Sequence, residues 1–345
     1  MGSSKAANAV LAKARAKYGR RLTNKDYTNL MSCNSVSEVV TYLKSSTYYE
    51  AVLRKVNARE IHRGRLETIL KQKLFNDFYS LCLYTKGSGE HFSQYIVEKN
   101  EIEQIIHFLT ILSSGKVDKH TFNMPSYFQS HTSVDFSAMS KAKNYDQFYA
   151  SLSGSPYERL MAEFRAEKDG KVNIALIENK LYRYCYDNLY NSIQKYSSGQ
   201  ERKALLEMFN SIMDYINFVR VFRLKKYYKE SPDVTESFLF PYGTLSKNAV
   251  KKLCNATSSV EVFDAVSNTS FGRKLKKLSY VYAGQIDDIG LFNITHKNIH
   301  FSSYPLVVML SYVFVMETEY NNLVSIIEGV RYNVDPGKIK TIVIA

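Results

Sequence analysis

Residues 22–48, LTNKDYTNLMSCNSVSEVVTYLKSSTY, decide the fold because their pattern returns twice in the same chain. Shifted by 109 positions it becomes HTSVDFSAMSKAKNYDQFYASLSGSPY (131–157), and shifted by 223 it becomes LSKNAVKKLCNATSSVEVFDAVSNTSF (245–271). The three segments align without gaps. Tyr27 falls on Phe136 and Val250, Leu30 on Met139 and Leu253, Val39 on Phe148 and Val262, Val40 on Tyr149 and Phe263, Leu43 on Leu152 and Val266, and Tyr48 on Tyr157 and Phe271. Within each copy the apolar positions recur at three or four residues, or adjacently, which is the period of an amphipathic helix. Self-similarity of this kind marks a tandem repeat of one supersecondary unit.

Start signals repeat with the apolar ones. Thr23, Thr132 and Ser246 stand where a first short helix needs an N-cap, a side-chain oxygen that accepts from the unpaired N–H groups of the first turn. Ser35 with Glu38, Asn144 with Gln147, and Ser258 with Glu261 have the three-residue spacing of a capping box for a second helix. That second helix is expected to stop near Ser45, Gly154 and Asn268. Longer helices follow. Arg59–Tyr84 carries Leu66, Ile69, Leu70, Leu74, Phe75 and Phe78 on one face, and Ile174–Tyr196 carries Ile177, Leu181, Leu189 and Ile193.

A second motif repeats at nearly the same interval: acid, two residues, amide, then an apolar pair. It reads Glu101-x-x-Gln104-Ile105-Ile106, Asp214-x-x-Asn217-Phe218-Val219 and Glu319-x-x-Asn322-Leu323-Val324. Acid and amide lie about one helical turn apart, so they can make inter-helix hydrogen bonds that fix packing, or line a central cavity. The chain therefore reads as all-α, in three successive helical lobes: 1–112, 113–230 and 231–345. Loops are expected at Thr85–Glu90, Ser113–Ser133, Tyr196–Gln200 and Glu230–Leu245, the last with Pro232, Pro241 and Gly243.

Composition agrees with helices. Only 15 Gly and 6 Pro occur in 345 residues, while 27 Tyr and 19 Phe supply core volume in a chain without Trp. Cys33, Cys82, Cys185 and Cys254 form no CxxC pair, which points to reduced thiols, two of them (Cys33 and Cys82) within helical stretches. The most apolar window, Leu306 to Met316, is about half of the roughly 20 residues a spanning helix needs. Ala7 to Lys17 is interrupted by Lys13, Arg15 and Lys17, so no signal-peptide core is expected there.

The formal net charge is +13, which suits an anionic partner or simply a solvated surface. Arg220, Arg223, Lys225 and Lys226, interleaved with Phe222, Tyr227 and Tyr228, form one concentration of it. Lys251, Lys252, Arg273, Lys274, Lys276 and Lys277 form another. Catalytic signatures are missing: there is no Walker loop, no GxGxxG after a strand and no GxSxG elbow. His296 and His300 share a helical face, but Lys297 follows where a zinc protease motif would place Glu. The pairs Glu317/Glu319 and Asp287/Asp288 read as solvated carboxylates. Neither cofactor nor metal is expected.

The segments YGRRLTNKDYTNLMSCNSVSEVVTYLKSSTYY (18–49), DYINFVRVFRLKKYY (214–228) and EYNNLVSIIEGVRYNVDPGKIKTI (319–342) resemble the C subunit of V/A-type rotary ATPases, called the d subunit in eukaryotes. The resemblance implies three pseudo-threefold-related lobes forming a funnel with a central cavity. It further implies a non-catalytic rotor component, peripheral on the cytoplasmic side of the membrane. Its partners would be the proteolipid ring and the central shaft of subunits D and F, with no nucleic acid and no small-molecule substrate. Arg220, Arg223, Lys225, Lys226 and Arg331 are the interface candidates under this reading. The competing reading is an unrelated helical scaffold that binds RNA or an acidic protein through the basic faces.

Overall fold

The computed structural model describes residues 2–85, 88–114, 131–164 and 172–345, and among these every regular element is helical. The chain divides into two compact units, Met1–Lys86 with Ser197–Ala345, and Gly87–Tyr196.

The first unit holds helices α1 (Gly2–Tyr18), α2 (Asn24–Met31), α3 (Val36–Ser46), α4 (Glu50–Leu53) and α5 (Arg63–Cys82). The second holds α6 (Ser88–Ser113), α7 (Phe136–Lys141), α8 (Tyr145–Ala150), α9 (Pro156–Met161) and α10 (Ile174–Tyr196). The chain then returns to the first unit with α11 (Gly199–Arg223), a π-helical turn (Leu224–Tyr228), α12 (Pro232–Ser237), α13 (Lys247–Asn255), α14 (Ser259–Val266) and α15 (Ser270–Leu275). It ends with α16 (Ile286–Phe301), α17 (Pro305–Arg331) and α18 (Pro336–Lys340).

The repeated sequence gives a repeated helix pair: α2–α3, α7–α8 and α13–α14. The second helix of each pair is capped as its sequence requires, with Ser35, Asn144 and Ser258 accepting from the backbone N–H of Glu38, Gln147 and Glu261. Thr23 and Ser246 cap the first helices. Thr132 does not. Asp135 caps α7 by accepting from Ala138 N–H, so that helix starts later than its sequence equivalents. Nor does Gly154 end α8, which stops at Ala150; Gly154 lies in the following turn with φ +77°. α14 likewise stops at Val266, just short of Asn268.

Three expected loops are partly helical. Ser88–Glu90 opens α6, α11 starts at Gly199, and Pro232–Ser237 forms a helix inside the 230–245 link. Gly87 and 115–130, including Pro125, lie outside the described residues. Cys33 falls in the turn after α2 rather than in a helix, and all four cysteines are free thiols.

Each repeated pair buries its apolar face against a long helix that carries the acid/amide motif. Leu30, Val39, Val40 and Leu43 share a core with Leu323, Ile326, Ile327 and Val330 of α17. Phe218 of α11 meets Phe263 and Phe271 edge-on or tilted, at ring centroid distances of 5.0 and 5.6 Å. In the second unit Phe108 of α6 stacks on Phe148 at 5.9 Å. Each such buried side chain contributes about 1.5–3 kcal/mol relative to exposure. No described helix is long and apolar enough to cross a membrane; the apolar run Leu306–Met316 is buried within α17.

Candidate functional site

The three acids of the repeated motif are the most distinctive polar groups in the described structure. All are buried: Glu101 is 1% exposed, Asp214 3% and Glu319 2%. Each closes on the entry to a repeated helix pair.

Glu319 accepts the backbone N–H of Leu22 at 2.8 Å, the Tyr49 hydroxyl at 2.8 Å and the Tyr48 hydroxyl. Asp214 accepts Thr244 N–H at 2.8 Å and Leu245 N–H at 3.3 Å through Oδ1, and the Thr244 hydroxyl at 2.5 Å through Oδ2. Glu101 accepts Ser133 N–H and the Thr132 hydroxyl, both at 2.7 Å, and the Tyr157 hydroxyl at 2.7 Å. Thr132 is thus a ligand of Glu101 rather than a helix cap. Tyr48, Tyr157 and Phe271 are equivalent positions. Where the phenol is present it reaches a Glu. Where it is Phe, the acid is the shorter Asp, which bonds the Thr244 hydroxyl and backbone.

The amides do parallel work. Asn217 donates to the carbonyls of Phe240 (3.0 Å) and Tyr242 (3.1 Å) and accepts Phe240 N–H at 3.0 Å. Asn322 donates to the Ile344 carbonyl at 2.6 Å and accepts Ile344 N–H at 2.9 Å. These side chains pair with a passing backbone as a neighbouring strand would. Gln104 is half-buried, and the positions equivalent to 240 and 242 fall at 126 and 128, outside the described residues. The chain comes so close to Asp214 that a Cβ on Gly243 (φ +135°) would lie 2.5 Å from Oδ1. Only glycine fits there.

Burial sets the electrostatics. Desolvation raises the Glu319 and Asp214 carboxyls above their usual range, against the hydrogen bonds that favour the charged form. Glu98, one turn before Glu101, is pushed up to about 7 by burial. Its Oε1 accepts from Asn188 at 3.0 Å while Oε2 has no hydrogen-bond partner. Around Glu319 the network extends outward: Lys73 sits 4.1 Å from the Tyr48 ring centre and pairs with Asp77 at 2.5 Å, which also pairs with Lys17 at 2.5 Å.

The acid pairs are therefore not simply solvated. Glu319 is buried, and burial next to Asp288 moves Asp287 up to about 6. Two acids side by side or one residue apart, in the stretches VMETEYNN and GQIDDIG, gave no sign of this. The signal that finds Glu319 is the repeat, which places it in register with Glu101 and Asp214.

The basic candidates take different positions. The Arg220 guanidinium donates to the Phe238 carbonyl at 3.1 Å and lies 4.0 Å from the Phe240 ring centre. Lys225 is buried and donates to the Glu230 carbonyl at 2.8 Å. Arg223 is exposed and donates to the Gly284 carbonyl at 3.2 Å. Lys226 and Arg331 are exposed, each beside a tyrosine ring. His296 and His300 have ring centroids 4.8 Å apart and pack on Tyr18. No group of three or more His, Cys, Asp or Glu able to hold a metal occurs among the described residues.

The described residues define an all-helical repeat protein in which buried acids join long helices to short capped pairs. The chain belongs to the ATP synthase (C/AC39) subunit family of A/V-type ATPases, whose model matches residues 10–342. It is 23% identical over 341 residues to the A-type ATP synthase C subunit of Pyrococcus abyssi, covering 96% of this chain and 88% of the relative. It is also 23% identical over 352 residues to the protein of the same name from Methanosarcina acetivorans, covering 98% and 92%. Against the V-type proton ATPase d subunit of Saccharomyces cerevisiae it is 23% identical over 176 residues, half of each chain. Family membership over nearly the whole length removes the ground for an unrelated scaffold.

Proposed function

We propose that this chain is a non-catalytic coupling subunit in the central rotor of a V/A-type ATPase. It links the shaft of subunits D and F to the membrane proteolipid ring and transmits torque for ion transport. The observation that carries this reading is the family match across residues 10–342. Relatives matched over much of their length are named as the C subunit of A-type ATP synthases, and a further one as the d subunit of a V-type proton ATPase.

A coupling part must be stiff, and the buried latches supply stiffness. They also support three pseudo-threefold lobes (1–112, 113–230 and 231–345) around a central cavity, in a funnel. With those boundaries Glu101 reaches from the first lobe to residues 132 and 133 of the second. Asp214 reaches from the second to residues 244 and 245 of the third, and Glu319 from the third back to Leu22 of the first. No residue is assigned catalysis or a cofactor. The chain is peripheral, on the cytoplasmic side, and meets its partners through exposed cations including Arg223, Lys226 and Arg331. Arg220 and Lys225, engaged with backbone carbonyls, hold the shape of that face, and Arg223, exposed but bonded to the Gly284 carbonyl, helps to hold it as well.

Affinity capture of the tagged chain from native membranes in mild detergent tests the reading. Proteolipid and shaft subunits are expected in the eluate. A chain recovered without either would overturn it.

A further inference from the structure

Positive charge is unevenly distributed along the chain. Residues 237–286 hold seven Lys and Arg against two acids, Glu261 and Asp264, and no acid occurs between Asp264 and Asp287. Four of the cations, Arg273, Lys274, Lys276 and Lys277, lie at the end of α15, all exposed, while Phe271 and Leu275 between them anchor the segment in the core. Directly after them come three exposed apolar or amphipathic side chains: Tyr280 (38%), Val281 (68%) and Tyr282 (51%).

This exposure does not come from a loose loop. Gln285 accepts the backbone N–H groups of Val281 (3.1 Å) and Tyr282 (3.4 Å) and donates to the Thr341 carbonyl at 2.5 Å. Arg223 fixes Gly284 from α11 at 3.2 Å. The backbone is held from two sides, yet the side chains of 280–282 face water. A fixed loop that presents Tyr-Val-Tyr beside four cations needs a partner that is anionic and apolar at adjacent depths.

We propose that residues 273–282, with Arg223, form a docking surface for anionic lipid headgroups, so that the chain contacts the bilayer directly and without other ATPase components. The cations meet phosphates, while the tyrosines place their rings in the headgroup region with their hydroxyls in water. An acidic protein surface would satisfy the cations but leaves Val281 and the rings without an apolar layer. A bilayer offers both, and it requires no shape complementarity from long flexible lysines.

Sedimentation of the isolated full chain with vesicles tests this. Binding to phosphatidylcholine vesicles containing phosphatidylglycerol is expected, with little binding to phosphatidylcholine alone. Each neutralised cation lowers the partition coefficient about fivefold, so R273Q/K274Q/K276Q/K277Q abolishes sedimentation while the helical circular dichroism stays unchanged. K276Q/K277Q, at exposed positions, gives a smaller loss and guards against misfolding of the fourfold variant. Tyr280→Ser with Tyr282→Ser lowers binding at a salt concentration that already screens the cations. Equal binding to both vesicle types, or an unaltered fourfold variant, overturns the proposal. So does complete competition by soluble polyglutamate or RNA with no effect of the tyrosine variant, since that result marks a general polyanion surface. No other ATPase component is present in the assay, so its failure leaves the rotor reading untouched.

Discussion

The carboxylate of Glu319 accepts the backbone N–H of Leu22 at 2.8 Å, across 297 positions of sequence. The last long helix thereby holds the entrance of the first repeated pair. Asp214 and Glu101 hold the entrances of the third and second in the same manner. The Glu319 bond is buried, and the other two, part-buried, span 30 and 32 positions, so in each case a buried acid ties the start of a repeated pair to a long helix.

Replacing Glu319 with Ala leaves three donors, Leu22 N–H and the Tyr48 and Tyr49 hydroxyls, without their acceptor. An unsatisfied buried donor costs about 1–3 kcal/mol, so Glu319→Ala is expected to lose about 3 kcal/mol or more in denaturant unfolding. Glu319→Gln, which keeps one acceptor oxygen, loses less. Equal stability of the alanine variant and the parent would show that the bond is incidental.

Glu98 gives a pH dependence. Its pKa rises from 4.5 to about 7 on folding, so between those values the folded state binds more protons than the unfolded one, and stability falls as pH rises through the window. The full effect is about 3 kcal/mol. Glu98→Gln, neutral in both states, flattens this part of the profile and is the more stable protein at pH above 7. Denaturant midpoints of the two proteins on either side of the window check it. Parallel profiles would remove Glu98 as the source.

A glycine tests the packing of the third pair. A Cβ on Gly272 would collide with the backbone carbonyl of Val266, which cannot swing aside as a side-chain tip does. Gly272→Ala is expected to cost about 3 kcal/mol, the upper range for overpacking. Gly19→Ala, whose Cβ meets nothing closer than 3.5 Å, should be neutral or better. Thermal melts of the two variants separate the outcomes.

The basic cluster after α11 should divide in two. Arg220→Glu disrupts the contacts with Phe238 and Phe240 and is expected to lower the melting temperature. Lys226→Glu, at an exposed position, should leave the melt nearly unchanged but weaken recovery with the membrane complex. If both variants behave alike, the division between shape-holding and partner-facing cations is wrong.

Much of this was legible in the sequence because it is written three times. Ser35, Asn144 and Ser258 cap their helices as expected, and the Ile174–Tyr196 helix has the expected bounds. The acid/amide motif pointed to inter-helix hydrogen bonding; in the structure the acids, Asn217 and Asn322 bond mostly to loop segments that pass the long helices. Their partners were not legible, since a carboxylate's spacing on its own helix says nothing of a backbone N–H almost 300 positions away. Thr132 misled because an N-cap and a ligand of a distant carboxylate use the same hydroxyl. Lys225 looked like its neighbours in a basic run, yet the π-helical turn carries it inward to Glu230.

The coupling role is tested most directly in reconstituted vesicles containing the ATPase with and without this chain. Without it, ATP hydrolysis by the soluble part should continue while ion transport stops, and adding back the purified chain should restore transport. Undiminished ATP-driven transport in its absence would contradict the account.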